Sequence, residues 1–349
     1  GKNGTSVSTS DPNIATQPHP YDRSAWNDAL PQFIGAMHEY KAYDNLQNFF
    51  QKGSQINTSL NITSRLSDVG SLSASYGFIR DDGYVASNDY EKHNLSLGGR
   101  TTLQNGLKIT SSFNFVTSKA NKPPSGISTS SNPAGTSLFS NVLYTPRSND
   151  LTGWPFELPT TKESIYYRGN NGIQNPYWTQ KNILDQERLN RFFGNIGLTY
   201  NITDWLTANY RIGIDTYTSS TEYKINSRGV NIPLGQYQTQ DRTNTITNSD
   251  FTLSANKNIN SDLNLDVMVG FNAKRETYAR TGVSSRTQFI FDLFTHNNFL
   301  VTTASTYKQE ENTLGVYGTA SLGYKDFLYL NVQARNDWTS TLESVNNSV

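Results

Sequence analysis

Apolar and polar residues alternate one by one over long stretches of this chain. Between Leu206 and Ile214, Leu, Ala, Tyr, Ile and Ile fall on one face of an extended strand, and Thr, Asn, Arg and Gly fall on the other. A period of two residues is typical of a β-strand with one apolar and one polar face. The same alternation recurs at 107–115, 195–202, 263–273, 314–324 and 328–334.

The alternation predicts ten antiparallel strands arranged as five hairpins. Each hairpin closes on a short turn of turn-forming residues. The five predicted turns are Asp68–Gly70, Asn105–Gly106, Thr203–Asp204, Asn258–Asp262 and Lys325–Asp326. The predicted strand pairs are 54–66 with 71–80, 91–103 with 107–118, 190–202 with 205–218, 240–258 with 262–276, and 308–323 with 327–340. The connections between hairpins are much longer, at roughly 81–90, 119–189, 219–239 and 277–307.

The strict alternation of short and long connections indicates a membrane protein. Transmembrane β-barrels have short turns on the periplasmic side and long loops on the external side. Strands of about ten residues also match a tilted bilayer crossing, whereas ordinary globular strands are mostly five or six residues long. We therefore predict an all-β, antiparallel, up-and-down transmembrane β-barrel segment, with its apolar face toward lipid and its polar face toward a lumen.

Composition agrees with this fold class and narrows the function. Only 35% of the 349 residues are hydrophobic, and no run of about 18 apolar residues suggests a transmembrane helix. Aromatic residues reach 12%, which is unlike a disordered chain, and the net charge of zero is unlike a nucleic-acid-binding surface. There is no cysteine, so disulfides and thiolate metal sites are excluded.

Catalytic signatures are missing from the sequence. The four histidines are scattered, and no zinc-protease, nucleophile-elbow or phosphate-loop motif occurs. Glu310 and Glu311 are adjacent on a predicted strand and so point to opposite faces. We expect no enzymatic activity, no cofactor and no metal.

Several segments resemble the SusC-like TonB-dependent outer-membrane transporters. The strongest is VYGTASLGYKDFLYLNVQARNDWTSTL at 316–342, a hairpin that ends in an RNDW-type motif. Five further segments look similar in order and spacing: YDNLQNFFQKG (43–53), YGFIRDDGYVASNDYEKHNLSL (76–97), LFSNVLYTPRSNDLTG (138–153), NPYW (175–178) and ITDWLTANYRIGIDTYT (202–218).

The resemblance implies a bacterial outer-membrane importer of oligosaccharides or peptides. Such proteins have a barrel of about 22 strands closed by a plug. They work with a TonB complex, contacted through a plug segment absent here, and with a SusD-like lipoprotein that covers the mouth. Residues 1–52 would follow the plug, 53–342 would form part of the barrel with the long loop 119–189, and 343–349 would begin the next loop. Because ten strands leave two open edges that cannot face hydrocarbon, we expect the chain to be part of a larger barrel.

Candidate functional residues fall into three groups. Aromatic and polar residues of the long loop are candidates for stacking on sugar rings or gripping peptide side chains. The alternatives are loop packing, contact with the partner, or an aromatic girdle at the membrane interface. The candidates are Trp154, Tyr166, Tyr167, Arg168, Asn170, Tyr177 and Trp178. Trp205 and Trp338, at predicted strand ends, are expected to anchor the barrel at the membrane interface. The predicted lumen- or plug-facing charges are Arg211, Asp215, Arg335 and Asp337.

Two other classes of function stay open on the sequence alone. One is a passive outer-membrane porin or adhesin-like barrel, which would lack the plug and the TonB contact. The other is a soluble glycan-binding β protein, in which the apolar rows would be covered by a second layer of the same chain.

Overall fold

A computed structural model describes residues 8–11, 14–67, 70–123, 137–168, 173–230, 232–325 and 327–343. Parts of the predicted turns at Asp68–Gly70 and Lys325–Asp326 lie outside these ranges, as do Asn170 and all but the first residue of 343–349. No helix within the described ranges is long and apolar enough to cross a membrane.

Two sheets make up the strand structure. The small one has three strands, β1 (Ser8–Asp11), β2 (Ile14–Pro18) and β3 (Met37–Glu39). The large one has ten strands: β4 (Ser54–Ser67), β5 (Gly70–Asp82), β6 (Asp89–Thr102), β7 (Lys108–Lys122), β8 (Ile183–Thr203), β9 (Leu206–Ile225), β10 (Gln236–Asn258), β11 (Leu263–Gln288), β12 (Phe299–Tyr324) and β13 (Leu328–Thr339).

The large sheet is a pure up-and-down meander. Each strand pairs antiparallel with its neighbours in the sequence, so the spatial order runs from β4 to β13 without a crossover. Within the described residues, β4 and β13 have no partner on their outer edges, and the sheet is therefore open. The fold class and the ten predicted strands are confirmed.

The strands are longer at one end than the alternation predicted. β8 begins at Ile183 and β12 at Phe299, where we expected 190 and 308. β9 and β11 likewise continue to Ile225 and Gln288. Beyond the rows of exposed apolar side chains the alternation disappears, while the backbone ladder continues. The long connections shrink accordingly to 83–88, 123–182, 226–235 and 289–298.

The register places apolar side chains in continuous rows across one face of the sheet. Tyr210, Phe251, Phe271 and Val316 lie side by side on four neighbouring strands. These side chains are exposed, as are the others of the same belt, which include Leu60, Ile62, Leu72, Leu97, Ile212, Leu253, Val269, Leu314, Leu330 and Val332. Among the described residues no second layer covers this belt, as a soluble sandwich would require.

The buried apolar side chains lie instead in the loops and at the tops of the long strands. Three short helices contribute to this loop layer, namely α1 (Asn45–Phe49), α2 (Leu138–Leu143) and α3 (Pro176–Asn182). The sequence predicts short helices near Asp44–Phe50 and within Ala134–Leu143, which α1 and α2 confirm in part. It also predicts a short helix near Ser24–Leu30, and this prediction is wrong. That segment contains only a 3-10 turn at Ser24–Trp26, and a second one follows at Pro31–Phe33.

Candidate functional site

The polar face of the sheet carries paired charges and amides. Arg335 donates two hydrogen bonds of 2.7 Å to the carboxylate of Asp337, and its guanidinium lies 5.2 Å from the ring centre of Tyr317. Gly270 and Gly315 leave the space that the Tyr317 ring and the Asp337 carboxylate occupy. A Cβ atom at Gly270 would come within 2.2 Å of the Tyr317 ring, and one at Gly315 within 2.4 Å of Asp337. The Arg335–Asp337 pair, which we predicted to face the lumen, therefore lies on the polar face beside two positions where only glycine leaves enough space.

Arg211 and Asp215 lie on the same face but do not pair with each other. Asp215 accepts a 2.8 Å hydrogen bond from Nε of Arg191, a residue that the sequence did not single out. Arg211 is opposite Asp250 in the register, and Asp250 itself accepts a 2.7 Å bond from Asn272. Arg191 could have been found only from the β8–β9 register, which places it one strand away from Asp215.

Cavities on this face and beside it offer polar linings. One of about 540 Å³ lies near the short-turn end and is bounded by Ser254, Met268, Thr319, Asn331 and Gln333. Another of about 460 Å³ lies at the loop end, where the end of α3 approaches β8, β9 and the 289–298 loop. Its lining includes Lys181, Asn182, Lys224, Asn226, Asp292 and Phe294.

The first cluster of the loop layer joins two connections of the large sheet, β5–β6 and β7–β8, with the segment that precedes β4. Phe49 of α1, Val85 of the β5–β6 loop and Val142 of α2 are buried together with Tyr166. Asn45 fixes the arrangement, because its side chain donates to the Asn149 carbonyl at 2.9 Å and accepts from the Leu151 amide at 3.1 Å. The end of the sheet with the long connections thus carries a layer with a folded core.

The second cluster surrounds His19, which is 5% exposed. The imidazole stacks on Phe33 with ring centres 4.1 Å apart and lies 4.4 Å from Trp154 and 5.4 Å from His38. Nδ1 accepts a 3.1 Å hydrogen bond from the Tyr21 amide, so Nε2 carries the proton, and Nε2 is buried without a partner among the described groups. Burial, aided by the neighbouring His38, lowers the pKa of His19 to about 4. No pattern in the sequence predicts that His19 and His38 lie close together.

The third cluster attaches the loop layer to the sheet. Trp178 of α3 is fully buried against Ile183 and Ile225, at the tops of β8 and β9. Its indole N–H donates to the Lys162 carbonyl at 3.0 Å, and Gly229 leaves space for the ring, since a Cβ there would come within 2.6 Å of it. Trp178 therefore offers no face to a ligand in this structure, and the packing alternative describes its position.

The other candidate residues of the long loop differ in how far their side chains are exposed. Tyr166 is 5% exposed, and its hydroxyl contacts Thr145 and donates to the Asn141 carbonyl. Trp154, Tyr167 and Tyr177 are partly buried and keep some exposed surface. Nε of Arg168 is buried without a hydrogen-bond partner in the described part of the chain.

Burial disfavours loss of the phenolic proton from these loop tyrosines. Burial raises the pKa of Tyr166, Tyr167 and Tyr177, so all three phenols stay neutral near pH 7. Their chemistry is therefore restricted to packing, stacking and hydrogen bonding. No group of three or more potential metal ligands occurs in the ranges that the structure describes.

The two predicted interface tryptophans lie at opposite ends of the apolar belt. Trp205 is in the β8–β9 turn, at the short-turn end, and Nζ of Lys257 lies 5.3 Å from its ring. Trp338 is near the upper end of β13, opposite Leu314 in the register. Both rings are exposed, at 43% and 38%.

Known proteins resemble this chain in structure but not measurably in sequence. No protein-family model matches it, and no curated protein does. Among solved structures, the RagAB peptide transporter superposes with a TM-score of 0.70 at 17% identity, covering 88% of this chain and 34% of that one. The RagAB peptide importer gives 0.69 at 16% identity in its closed-closed state and 0.70 at 16% in its open-open state.

These likenesses show the fold. The chain spans about a third of the length of the RagAB chain that it matches. Its ten-stranded sheet is therefore folded like a stretch of a transporter's β-barrel.

Proposed function

We propose that this chain forms part of a TonB-dependent importer in the bacterial outer membrane, and that peptides are its cargo. One observation carries the proposal: the apolar side chains of the sheet are exposed in rows, while the other face carries ion pairs such as Arg191–Asp215 and Arg335–Asp337. Rows of exposed apolar side chains are stable against lipid, and a face with paired charges suits a water-filled lumen. The fold shared with a peptide transporter favours peptides over oligosaccharides as the cargo.

Energised uptake tests the proposal directly. Cells that produce the complete protein should accumulate a labelled peptide of about ten residues, and uptake should fall to background without TonB or with a protonophore. A passive porin would pass the peptide in both cases. If a labelled oligosaccharide competes and the peptide does not, the cargo is a glycan, and if the protein stays in the soluble fraction, the membrane assignment fails.

The loop layer provides a surface for a SusD-like lipoprotein. Phe139 and Tyr144 of the α2 region are 54% and 75% exposed, and Tyr84 is 57% exposed. Phe50 connects them, with its ring centre 5.8 Å from that of Phe139 and 5.7 Å from that of Tyr84. Exposed aromatic patches of this kind mark protein contacts.

Substitution of the patch tests the partnership. Phe139→Asp combined with Tyr144→Asp should abolish co-purification of the lipoprotein encoded with the transporter, because it places charge in an apolar contact. Phe289→Asp, at a similarly exposed phenylalanine of the 289–298 loop, is the matched control and should leave co-purification unchanged. Retention of the lipoprotein by the double variant would exclude this surface.

A further inference from the structure

Two arginines lie side by side on the polar face of the large sheet, between the apolar belt and the long connections. Arg242 of β10 is directly opposite Arg280 of β11, in a register without a bulge. An even number of residues separates Arg242 from Ser254, so both point to the polar face. Directly opposite residues have Cβ atoms only about 5 Å apart, and like charges in such a pair destabilise a sheet. The pair is therefore costly unless an anion lies between the two guanidinium groups.

Both guanidinium groups are held in place by uncharged neighbours. Nε of Arg242 donates a 2.6 Å hydrogen bond to Oε1 of Gln240. The guanidinium of Arg280 lies 5.8 Å from the ring centre of Tyr307, its register partner on β12, and that ring is 6.0 Å from the ring of Tyr278. Nε of Arg280 is buried and has no hydrogen-bond partner within the described ranges. Because a buried donor without an acceptor costs free energy, Arg280 gains from a ligand that accepts a hydrogen bond there.

Nearby carboxylates on the polar face do not neutralise the two arginines. Glu187 is within electrostatic range of Arg242, but its carboxylate accepts a 2.6 Å hydrogen bond from Nζ of Lys122. Glu276 likewise accepts a 2.9 Å bond from Nζ of Lys274. In the part of the chain that the structure describes, neither arginine of the pair forms an ion pair.

The residues outside the described ranges do not supply an acid for this place either. They contain only two acids, Asp68 and Asp326, which the sequence assigns to the short turns between β4 and β5 and between β12 and β13. Glu311 is on the polar face of β12, but it is four residues from Tyr307, which corresponds to roughly 13 Å along a strand. A ligand is therefore the best source of the anion that the two arginines require.

We propose that Arg242 and Arg280 together bind a carboxylate of the peptide cargo. The inference rests on the proposed function, because it identifies the group by which an imported peptide is held in the lumen. Two planar guanidinium groups suit a carboxylate, since each can donate two parallel hydrogen bonds to its oxygens. A neutral oligosaccharide has no such group. Every free peptide has one at its C-terminus, and acidic side chains supply further ones.

Three peptides test the preference and distinguish the two sources of the carboxylate. They share a fluorescent ten-residue sequence without acids: the first has a free C-terminus, the second is amidated there, and the third is amidated and has one internal Glu. The purified complete protein should bind the first at least tenfold more tightly than the second. Tight binding of the third alone would support the site and assign it to side-chain carboxylates. Equal binding of all three would overturn the proposal.

Glutamine variants of the two arginines assign the preference to this place. Arg242→Gln and Arg280→Gln should each weaken binding of the free-acid peptide at least tenfold and leave binding of the amidated peptide within twofold. Arg188→Gln is the matched control and should keep the full preference, because Arg188 is an exposed arginine on the opposite face of β8, beside Ser220 of β9. If the two variants weakened all peptides equally, the arginines would act on the fold and not on the carboxylate, and the proposal would fail.

Crosslinking keeps the test decisive if a glutamine variant folds poorly. Ser305 and Thr306 are adjacent on β12 and point to opposite faces, and Ser305 is on the face of Arg280. A benzophenone side chain at position 305 should crosslink to the carboxylate-bearing end of the peptide, and one at position 306 should not. Equal crosslinking at both positions, or none at position 305, would overturn the proposal.

The outcome separates this inference from the proposed function. If energised uptake is equally fast for the free-acid and the amidated peptide, the carboxylate site is wrong and the importer proposal is unaffected. If the wild type takes up none of the three peptides under energised conditions, the proposed cargo itself is wrong, and this inference falls with it.

Discussion

The sheet and the loop layer of this chain use apolar side chains in opposite ways. In the belt of the sheet, Leu253, Val269, Phe271 and Leu314 remain between 36% and 53% exposed. The loop layer is mostly polar in sequence. Its apolar residues Trp178, Ile165 and Val142 are nevertheless only 0%, 1% and 1% exposed. A water-soluble protein would bury both sets.

The difference agrees with the proposed function, in which the sheet meets lipid and the loop layer meets water. A belt that faces acyl chains loses nothing by exposure, and its backbone groups are satisfied by the ladder. The loop layer makes its own core from three small clusters, one around α1 and α2, one around Tyr21 and Leu30, and one around Trp178 of α3. Substitutions that act in one region and not in the other therefore test this division.

Removal of Trp178 should have the largest effect. Its side chain is wholly buried, so Trp178→Ala should cost about 3–5 kcal/mol of the local stability of the loop layer, as large-to-small core substitutions do. Limited proteolysis at 137–182 should become much faster, while the barrel stays folded. Phe139→Ala, at a residue that is 54% exposed, should change the cleavage rate little. Resistance of Trp178→Ala to protease would mean that the layer has no cooperative core.

A charge in the belt should have the next largest effect. Leu253 and Ser254 are adjacent on β10 and belong to the apolar and the polar face. Leu253→Arg should destabilise the protein by about 2–4 kcal/mol on folding into lipid vesicles, because the cation would enter hydrocarbon. Ser254→Arg should cost far less, since it would point into the lumen. Equal costs for the two would show that both faces meet water.

Acid should loosen the loop layer and leave the sheet intact. The pKa of His19 falls to about 4 in the folded protein from its ordinary 6.5, because burial beside His38 outweighs the attraction of Asp22. The unfolded state then binds more protons between these values, so stability is complete above pH 6.5 and is lost as the pH falls toward 4, by on the order of 2–3 kcal/mol. Protonation at Nδ1 would also remove the acceptor of the Tyr21 amide.

Protease cleavage of the loop layer as a function of pH measures this loss. His19→Phe should flatten the profile between pH 6.5 and 4. His93→Gln is the control, because His93 is on β6 in the sheet and half exposed. If His93→Gln flattened the pH profile of cleavage and His19→Phe did not, the acid-sensitive group would lie in the sheet rather than in the loop layer.

The sequence predicted the belt well and the loop layer poorly, for a physical reason. Alternation exists only where two faces meet different solvents, so it marked Leu206–Ile214 and Leu263–Ala273 but not the strand tops at Ile225 or Gln288. The positions of Trp178 and Tyr166 depend on contacts with residues far away in the chain, and no local pattern encodes them. Arg335 and Asp337 could be assigned to the polar face from the sequence, because odd and even positions of a strand point to opposite faces of the sheet.

The same substitution at two glycines gives the smallest effect and the sharpest comparison. Gly106 in the β6–β7 turn has φ of +83°, Gly35 in the loop layer has φ of +65°, and a Cβ would meet nothing within 4 Å at either position. Backbone strain is thus the only cost, and alanine should destabilise by about 1 kcal/mol in each case. Gly106→Ala should lower the urea midpoint of the sheet and leave loop proteolysis unchanged. Gly35→Ala should speed loop proteolysis and leave the sheet midpoint unchanged. If either variant altered both readouts, the two regions would unfold as one unit, and the division between lipid-facing sheet and water-facing core would not describe the molecule.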